Sequence, residues 1–281
     1  MEAFGSFEVR GKAYSDSKCI LYHALKVGES KAKRYLVKLF LFRRVGSRTE
    51  RLRLRGIELQ KTAASASAFI CPVLESGQDS RGVWYVTPDL PRSVQKILFG
   101  RVELPSEALH HILLSVVQGA LDLQQNCGRS HGEIRPTNVL ISGCDHLTEA
   151  QVQLCDPCGT ESATPEEIER ADLNAIGKML LSFVNPSMAD VEDAFLILPI
   201  LVSDEWRRVF GKDADAWLEL CNRLLDPSLS LESMSLEKLR ARLHALRTLG
   251  GARFAGVFLA GAAAVGVLGA AAFWVWRKQH P

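Results

Sequence analysis

The hydrophobic positions change period along the chain. Up to about residue 45 they come in short β-prone runs, Phe7-Glu8-Val9 and Cys19-Ile20-Leu21-Tyr22, around a turn containing Gly, Ser and Asp. Arg34-Tyr35-Leu36-Val37-Lys38-Leu39-Phe40 alternates as a strand. Residues 47–66 predict a basic helix with apolar positions at Leu52, Leu54, Ile57 and Leu59. Val83-Trp84-Tyr85-Val86 is a strand ahead of Pro88 and Pro91, and Ser93 to Phe99 is a short helix. Ser106 to Asn126 is a long helix whose Leu109, Ile112, Leu113, Val116, Val117, Ala120, Leu121 and Leu123 form one broad face. Ser106 is its expected N-cap and Gly128 its stop. Helical patterns return at Ala171 to Leu181, Trp217 to Leu225 and Ser235 to Leu246.

Periodicity then gives way to an uncharged run of 23 residues, Phe254 to Trp276, rich in Ala, Gly, Val, Leu and Phe. About 20 apolar residues span a bilayer's hydrocarbon as a helix. Arg253 closes one end, and Trp274, Trp276, Arg277 and Lys278 form an aromatic and basic anchor at the other. Five residues follow Trp276, the placement expected of a tail anchor. Arg240, Arg242, Arg247 and Arg253 precede the span and Arg277 and Lys278 follow it, which favours a cytoplasmic globular part. Small residues four apart, Gly256-Ala260-Ala264 and Ala262-Gly266-Ala270, are the kind of stripe along which such helices pair, so a homodimer is one expected partner.

Composition adds little beyond this. With 34 basic and 32 acidic residues the net charge is +2, which gives no global argument for nucleic acid. Seven Cys without framework spacing suit reduced thiols in the cytosol. Met1 to Arg10 lacks the basic-then-apolar pattern of a cleaved leader. His110 and His111 have no second ligand at helical spacing and read as a partly exposed pair of ordinary helix residues. Cys155 and Cys158 form a C-x-x-C, but a zinc or redox role needs a further Cys/His pair or a thioredoxin-like setting.

The chemistry-bearing stretch is His131-Gly132-Glu133-Ile134-Arg135-Pro136-Thr137-Asn138-Val139-Leu140-Ile141. It resembles the catalytic loop of protein kinases, H-R-D-L-K-P-x-N-I-L. His131, Pro136, Asn138 and the apolar triplet match in register; Gly132 replaces the Arg, Glu133 the Asp and Arg135 the Lys. Other segments resemble the family in the same order. Lys38 matches the strand lysine that clamps phosphates and pairs with a helix Glu. Glu58 is the expected partner, with Glu50 the alternative. Gly11 stands where the family's glycine-rich phosphate cover begins, but Ala13 and Asp16 fill later glycine positions. Val152-Gln153-Leu154-Cys155-Asp156-Pro157-Cys158-Gly159 resembles the strand and D-F-G segment, with Asp156 as the magnesium-binding Asp. Thr164-Pro165-Glu166 looks like the A-P-E that ends the activation segment, only ten positions after Asp156. Asp172 matches the Asp that holds the catalytic-loop backbone, and also suits a helix N-cap.

The resemblance covers about residues 7–247 and implies an α+β, two-lobed protein-kinase fold. Residues 1–90 would form the β-rich lobe and 91–247 the helical one. A linker at 248–253, a transmembrane helix at 254–276 and a tail at 277–281 would follow. It further implies a catalytic set of Glu133 as base with Asn138 and Asp156, where the last two hold magnesium. Gly11, Lys38 and Glu58 would form the ATP site. The departures fall on those positions, so the first expectation is a pseudokinase. Such a protein would scaffold or regulate protein partners at a membrane, binding ATP and magnesium weakly or not at all. The alternative is a divergent active Ser/Thr kinase; a kinase acting on a small molecule is a third. Lys38 is expected to serve mainly a ligand, so its loss should cost less stability than loss of Asp172.

Overall fold

The computed structural model describes residues 2–30, 32–42, 46–100, 102–142, 146–188 and 197–246. The apolar run at 254–276, with its linker and tail, lies outside the described residues. Among those described, no helix is long and apolar enough to cross a membrane. The chain divides into two compact units, Met1–Arg240 and Ala241–Pro281. Of the second, residues 241–246 are described and are helical.

The first unit is mixed α+β. Its larger sheet has six strands in the order β1-β2-β3-β4-β6-β5, every neighbouring pair antiparallel. The strands are β1 Ala3–Phe4, β2 Phe7–Ser15, β3 Cys19–Lys26, β4 Tyr35–Leu41, β5 Glu75–Gln78 and β6 Gly82–Pro88. Alternation along β4 and β6 sorts side chains between two faces. Tyr35, Val37, Leu39, Trp84 and Val86 join Phe4, Phe7 and Tyr22 in one cluster. Phe40, Val83 and Tyr85 join Ile57 of helix α1, Arg48–Ala64, in another. Gly11 lies within β2 at a register shift that starts at Val9, not in the turn. The turn is held instead by Asp16, whose Oδ1 accepts the backbone N–H groups of Lys18 and Cys19, both at 2.7 Å.

Helix α1 starts where Ser47 accepts the Glu50 N–H, 3.1 Å. Its buried face is Gly56, Ile57, Gln60 and Ala63, while Leu54 is exposed. Short β7 Arg92–Ser93 leads into α2, Val94–Phe99. Helix α3, Ser106–Cys127, buries the whole predicted apolar face. Its N-cap is Pro105 rather than Ser106, and Pro105 O accepts from Ala108 and Leu109. Gly128 ends it in the left-handed region at φ 71°, a conformation that glycine adopts without a Cβ clash. His110 is buried edge-on to Trp217, centroids 6.2 Å apart, and His111 Nε2 meets Ala150 O at 2.8 Å. His110 is thus buried, against expectation, while His111 is partly exposed as expected.

A second, three-stranded sheet, β7-β8-β9, carries β8 Val139–Ile141 and β9 Val152–Leu154. A parallel bridge from Ile70 to Leu154 ties it to the chain leaving α1, with Cys71 N–H to Leu154 O at 2.8 Å. Helix α4 is one continuous element, Pro165–Val184. Thr164 accepts from Glu167 N at 3.2 Å and its own N–H donates to Glu167 Oε2 at 2.7 Å, a capping box with Pro at the first helical position. This corrects two expectations. Thr164-Pro165-Glu166 opens the same helix that bears Asp172, so no separate element intervenes, and Asp172 sits mid-helix rather than at an N-cap. Helices α5 Asp204–Phe210 and α6 Ala214–Leu225 follow, and residues 236–240 are helical at the end of the unit; α6 is laid on α4 so closely that a Cβ on Gly177 would lie 2.8 Å from Leu224 Cβ.

Candidate functional site

The loop between α3 and β8 is fixed from below by α4. Gly132, at φ +73°, turns its N–H onto Asp172, 2.8 and 2.9 Å from the two carboxylate oxygens. Asp172 is 1% exposed, and that burial pushes its pKa up to about 6 despite the donors around it. His131, fully buried, bonds through Nε2 to Cys155 O, 2.9 Å, and its Nδ1 accepts the Glu133 N–H, 3.1 Å. Nε2 therefore carries the proton. Burial brings the ring's pKa down to about 4, so it is neutral at pH 7. Asn138 donates through Nδ2 to Glu133 O at 2.9 Å, and Asn138 O accepts from Cys155 N at 3.0 Å. These bonds set Glu133, Asn138 and Asp156 on one framework.

Each side chain, however, is already engaged. Glu133 pairs with Arg53 of α1 and with Arg135, both at 3.4 Å. The Arg53 guanidinium also lies 4.8 Å from the Phe40 ring centroid, bridging β4 to the loop. Asn138 Oδ1 accepts from Thr137 Oγ1 at 3.3 Å. Asp156 has φ 58°, in the left-handed region where Asp is tolerated. Lys38 Nζ donates to its Oδ2, and the Tyr85 hydroxyl donates to its Oδ1 at 2.6 Å. Its backbone N–H goes to Gln60 Oε1, 2.8 Å, and Gln60 Nε2 in turn donates to Cys71 O, 2.8 Å.

Burial alone would raise the Asp156 pKa; the Lys38 charge and the hydrogen bonds outweigh it and hold the carboxyl below its ordinary value. Burial would lower the Lys38 pKa, and the Asp156 carboxylate more than reverses that. The Tyr85 phenol is pushed well above its ordinary value, first by desolvation and then by the Asp156 charge. Lys38, Asp156 and Tyr85 therefore form a closed ionic cluster under the sheet.

The expected Lys38–Glu58 pair is not formed. Glu58 faces solvent and accepts from Lys61 Nζ at 2.8 Å. Glu50, the alternative, is buried with Gly46 N–H and Gln78 Nε2 as donors. From α1 it is Gln60 and Arg53 that reach the site. A Cβ on Gly11 would meet nothing within 4 Å. The segment after Asp156 is wedged against α1: a Cβ on Gly159 would fall 1.9 Å from Leu52 O, and one on Gly56 2.5 Å from Pro157 O. The void left between Phe40, Arg53, Ile57, Asp156 and Pro157 is about 10 Å³, one water's worth. A larger cavity of about 670 Å³ lies elsewhere, near the ends of α2 and α4, with Phe99, Val102 and Arg208 in its wall. Among the described residues, no three His, Cys, Asp or Glu side chains are grouped to hold a metal ion.

Tyr85, Gln60 and Arg53 escaped the sequence reading. Only Tyr85 had a usable signal, its place in the strand Val83-Trp84-Tyr85-Val86; the β4–β6 register that sets it directly opposite Lys38 is a tertiary fact. No protein-family model and no curated protein matches this chain.

Proposed function

We propose that the chain has a two-lobed protein-kinase fold and acts as a pseudokinase, a binding or regulatory module for protein partners at a membrane. The observation that carries this reading is the Asp156 carboxylate, which has both oxygens committed to Lys38 and Tyr85. A phosphate-bound magnesium needs a free hard oxygen there. Asp156 and Asn138 do not fit that ion in the arrangement they adopt, because Asp156 is ion-paired with Lys38 and the space beside it is about 10 Å³, too small for a phosphate-bound ion. Arg53 and Arg135 pair with the two carboxylate oxygens of Glu133 and stand where a substrate hydroxyl would have to approach it. The merger of Thr164-Pro165-Glu166 into α4 removes the length of chain on which a peptide would lie.

A divergent active kinase is the second reading. It is favoured by the ordered loop, in which Asp172 holds Gly132 and Asn138 holds Glu133 O. One experiment separates the two. With millimolar magnesium-ATP, the full chain in detergent should show no rise in melting midpoint and barely detectable peptide phosphorylation. Robust phosphorylation that disappears in Glu133→Gln and in Asp156→Asn would sink the pseudokinase reading.

Residues 254–276 are proposed as the anchor, with the globular part cytoplasmic. The protein should stay in the membrane pellet through an alkaline carbonate wash. Protease outside intact cells should leave residues 1–246 uncut; release by the wash, or digestion from outside, contradicts the assignment.

A further inference from the structure

Arg129 is a buried cation that forms no ion pair among the described residues, although the Asp172 charge acts on it from nearby. It follows Gly128, is 7% exposed, and donates through Nη1 to Thr160 O. Among the described residues, its Nε and Nη2 are buried with no hydrogen-bond partner. Buried donors left unpaired cost free energy, and an acceptor reaching them would recover it.

The nearest candidate is Cys158, the half-buried member of the C-x-x-C. The point where a Cβ on Gly132 would sit is 3.4 Å from Arg129 Nη2 and 3.2 Å from Cys158 Cβ. Arg129 Nη2 and the Cys158 side chain at its Cβ therefore both border the space above the Gly132 backbone. Desolvation lowers the Arg129 pKa, and Cys158 is the largest influence acting the other way. The backbone holds the thiol in place: Cys158 N–H donates to His131 O at 2.8 Å, and Gly159 is wedged against Leu52 O. The other partly exposed thiols among the described residues differ. Cys127 Sγ donates to Leu59 O at 3.5 Å, and burial raises the pKa of both Cys127 and Cys19. Cys155 is buried, with its Sγ donating to Asp156 Oδ2 at 3.8 Å.

We infer that Cys158 is a site of oxidation by hydroperoxides, with Arg129 as the positioning residue that holds the oxygenated sulfur. Cys158 Sγ attacks one oxygen of hydrogen peroxide. The S–O bond forms as the O–O bond breaks, sulfur is oxidised to the sulfenic acid, and the departing hydroxide leaves with the thiol proton as water. The new oxygen is the acceptor that Arg129 Nε and Nη2 lack. Cys158 is half-buried, so a peroxide can reach it, whereas Cys71, Cys155 and Cys221 are buried. This step uses none of the residues of the proposed nucleotide site and stands apart from that reading.

The test treats the full chain in detergent with substoichiometric hydrogen peroxide and traps sulfenic acid with a 1,3-cyclohexanedione probe. Mass mapping then reads label at all seven Cys. Cys158 should take up about tenfold more label than Cys19 or Cys127. In Arg129→Met the ratio of Cys158 to Cys19 label should fall several-fold, and Arg129→Lys, which keeps the charge and loses the fork, should lie between. If Arg129→Met fails to fold, the wild-type ratio and the Lys variant decide. Equal labelling of the three thiols in wild type, or an unchanged ratio in either folded Arg129 variant, overturns the inference.

Discussion

Lys38→Met lowers the unfolding free energy by about 3–5 kcal/mol, the range for stripping one partner from a buried ion pair. Asp156 is 7% exposed, and its remaining partners are the Tyr85 hydroxyl, the Cys155 thiol and the Gln60 amide, none of which carries charge. In the variant the carboxylate has lost its cation and must either stay charged in an apolar setting or take up a proton. The deficit therefore shrinks as pH falls. Wild type behaves in the opposite sense. Its Asp156 pKa is held below the ordinary value, so that contribution is present above the unfolded pKa and is lost as pH falls through the folded one.

The double variant Lys38→Met/Asp156→Asn recovers most of the loss, because Asn is neutral and tolerates the left-handed backbone at this position. Urea unfolding of the four members of the cycle measures it. If Lys38 served only a ligand, as its place in the strand motif suggested, Lys38→Met would cost no more than about 0.5 kcal/mol. The cluster drawn by Lys38, Asp156 and Tyr85 would then have no energetic weight.

Strand and helix patterns made the mixed α+β architecture legible, because burial follows their periods. Every apolar position named on α3 is buried, and β4 alternates between two clusters as its sequence alternates. Helix α1 was harder, since Leu52, Leu54 and Leu59 are spread around its circumference and four Arg leave no clean polar face. Which side turns inward was decided by a tertiary fit, the close approach of Gly56 to Pro157, rather than by periodicity. That choice carried Gln60 and Arg53 to the site and sent Glu58 to solvent. The α4 start was readable but outweighed: Thr164-Pro165-Glu166-Glu167 is a capping box with Pro at the first position, and its likeness to the end of a longer segment concealed the helix signal. Asp172 was placed correctly relative to the loop backbone, while its N-cap reading failed because that box begins the helix two turns earlier.

Asp172 and His131 should oppose each other as pH changes, and separating them exposes two slopes of opposite sign. The Asp172 pKa rises from 3.8 to about 6 on folding. Its contribution is fully present below the unfolded pKa and is lost as pH rises through the folded one. The His131 pKa drops from 6.5 to about 4, so its contribution is present above the unfolded value and is lost as pH falls through the folded one. Between pH 4 and 6 the two trends run against each other, and wild type should be nearly flat from these groups. Asp172→Asn removes the acid's share and leaves the histidine's, so this variant should lose about 3 kcal/mol on acidification from pH 6.5 to 4. His131→Gln leaves the acid's share and should gain stability over the same range. Asp172→Ala should be the most damaging at any pH, because the Gly132 N–H and its neighbours lose a common acceptor at about 1–3 kcal/mol for each orphaned donor. Unfolding free energies measured across pH 4–7 for wild type and the three variants supply the check. Parallel profiles for Asp172→Asn and His131→Gln would show that these two groups do not set the stability of the loop.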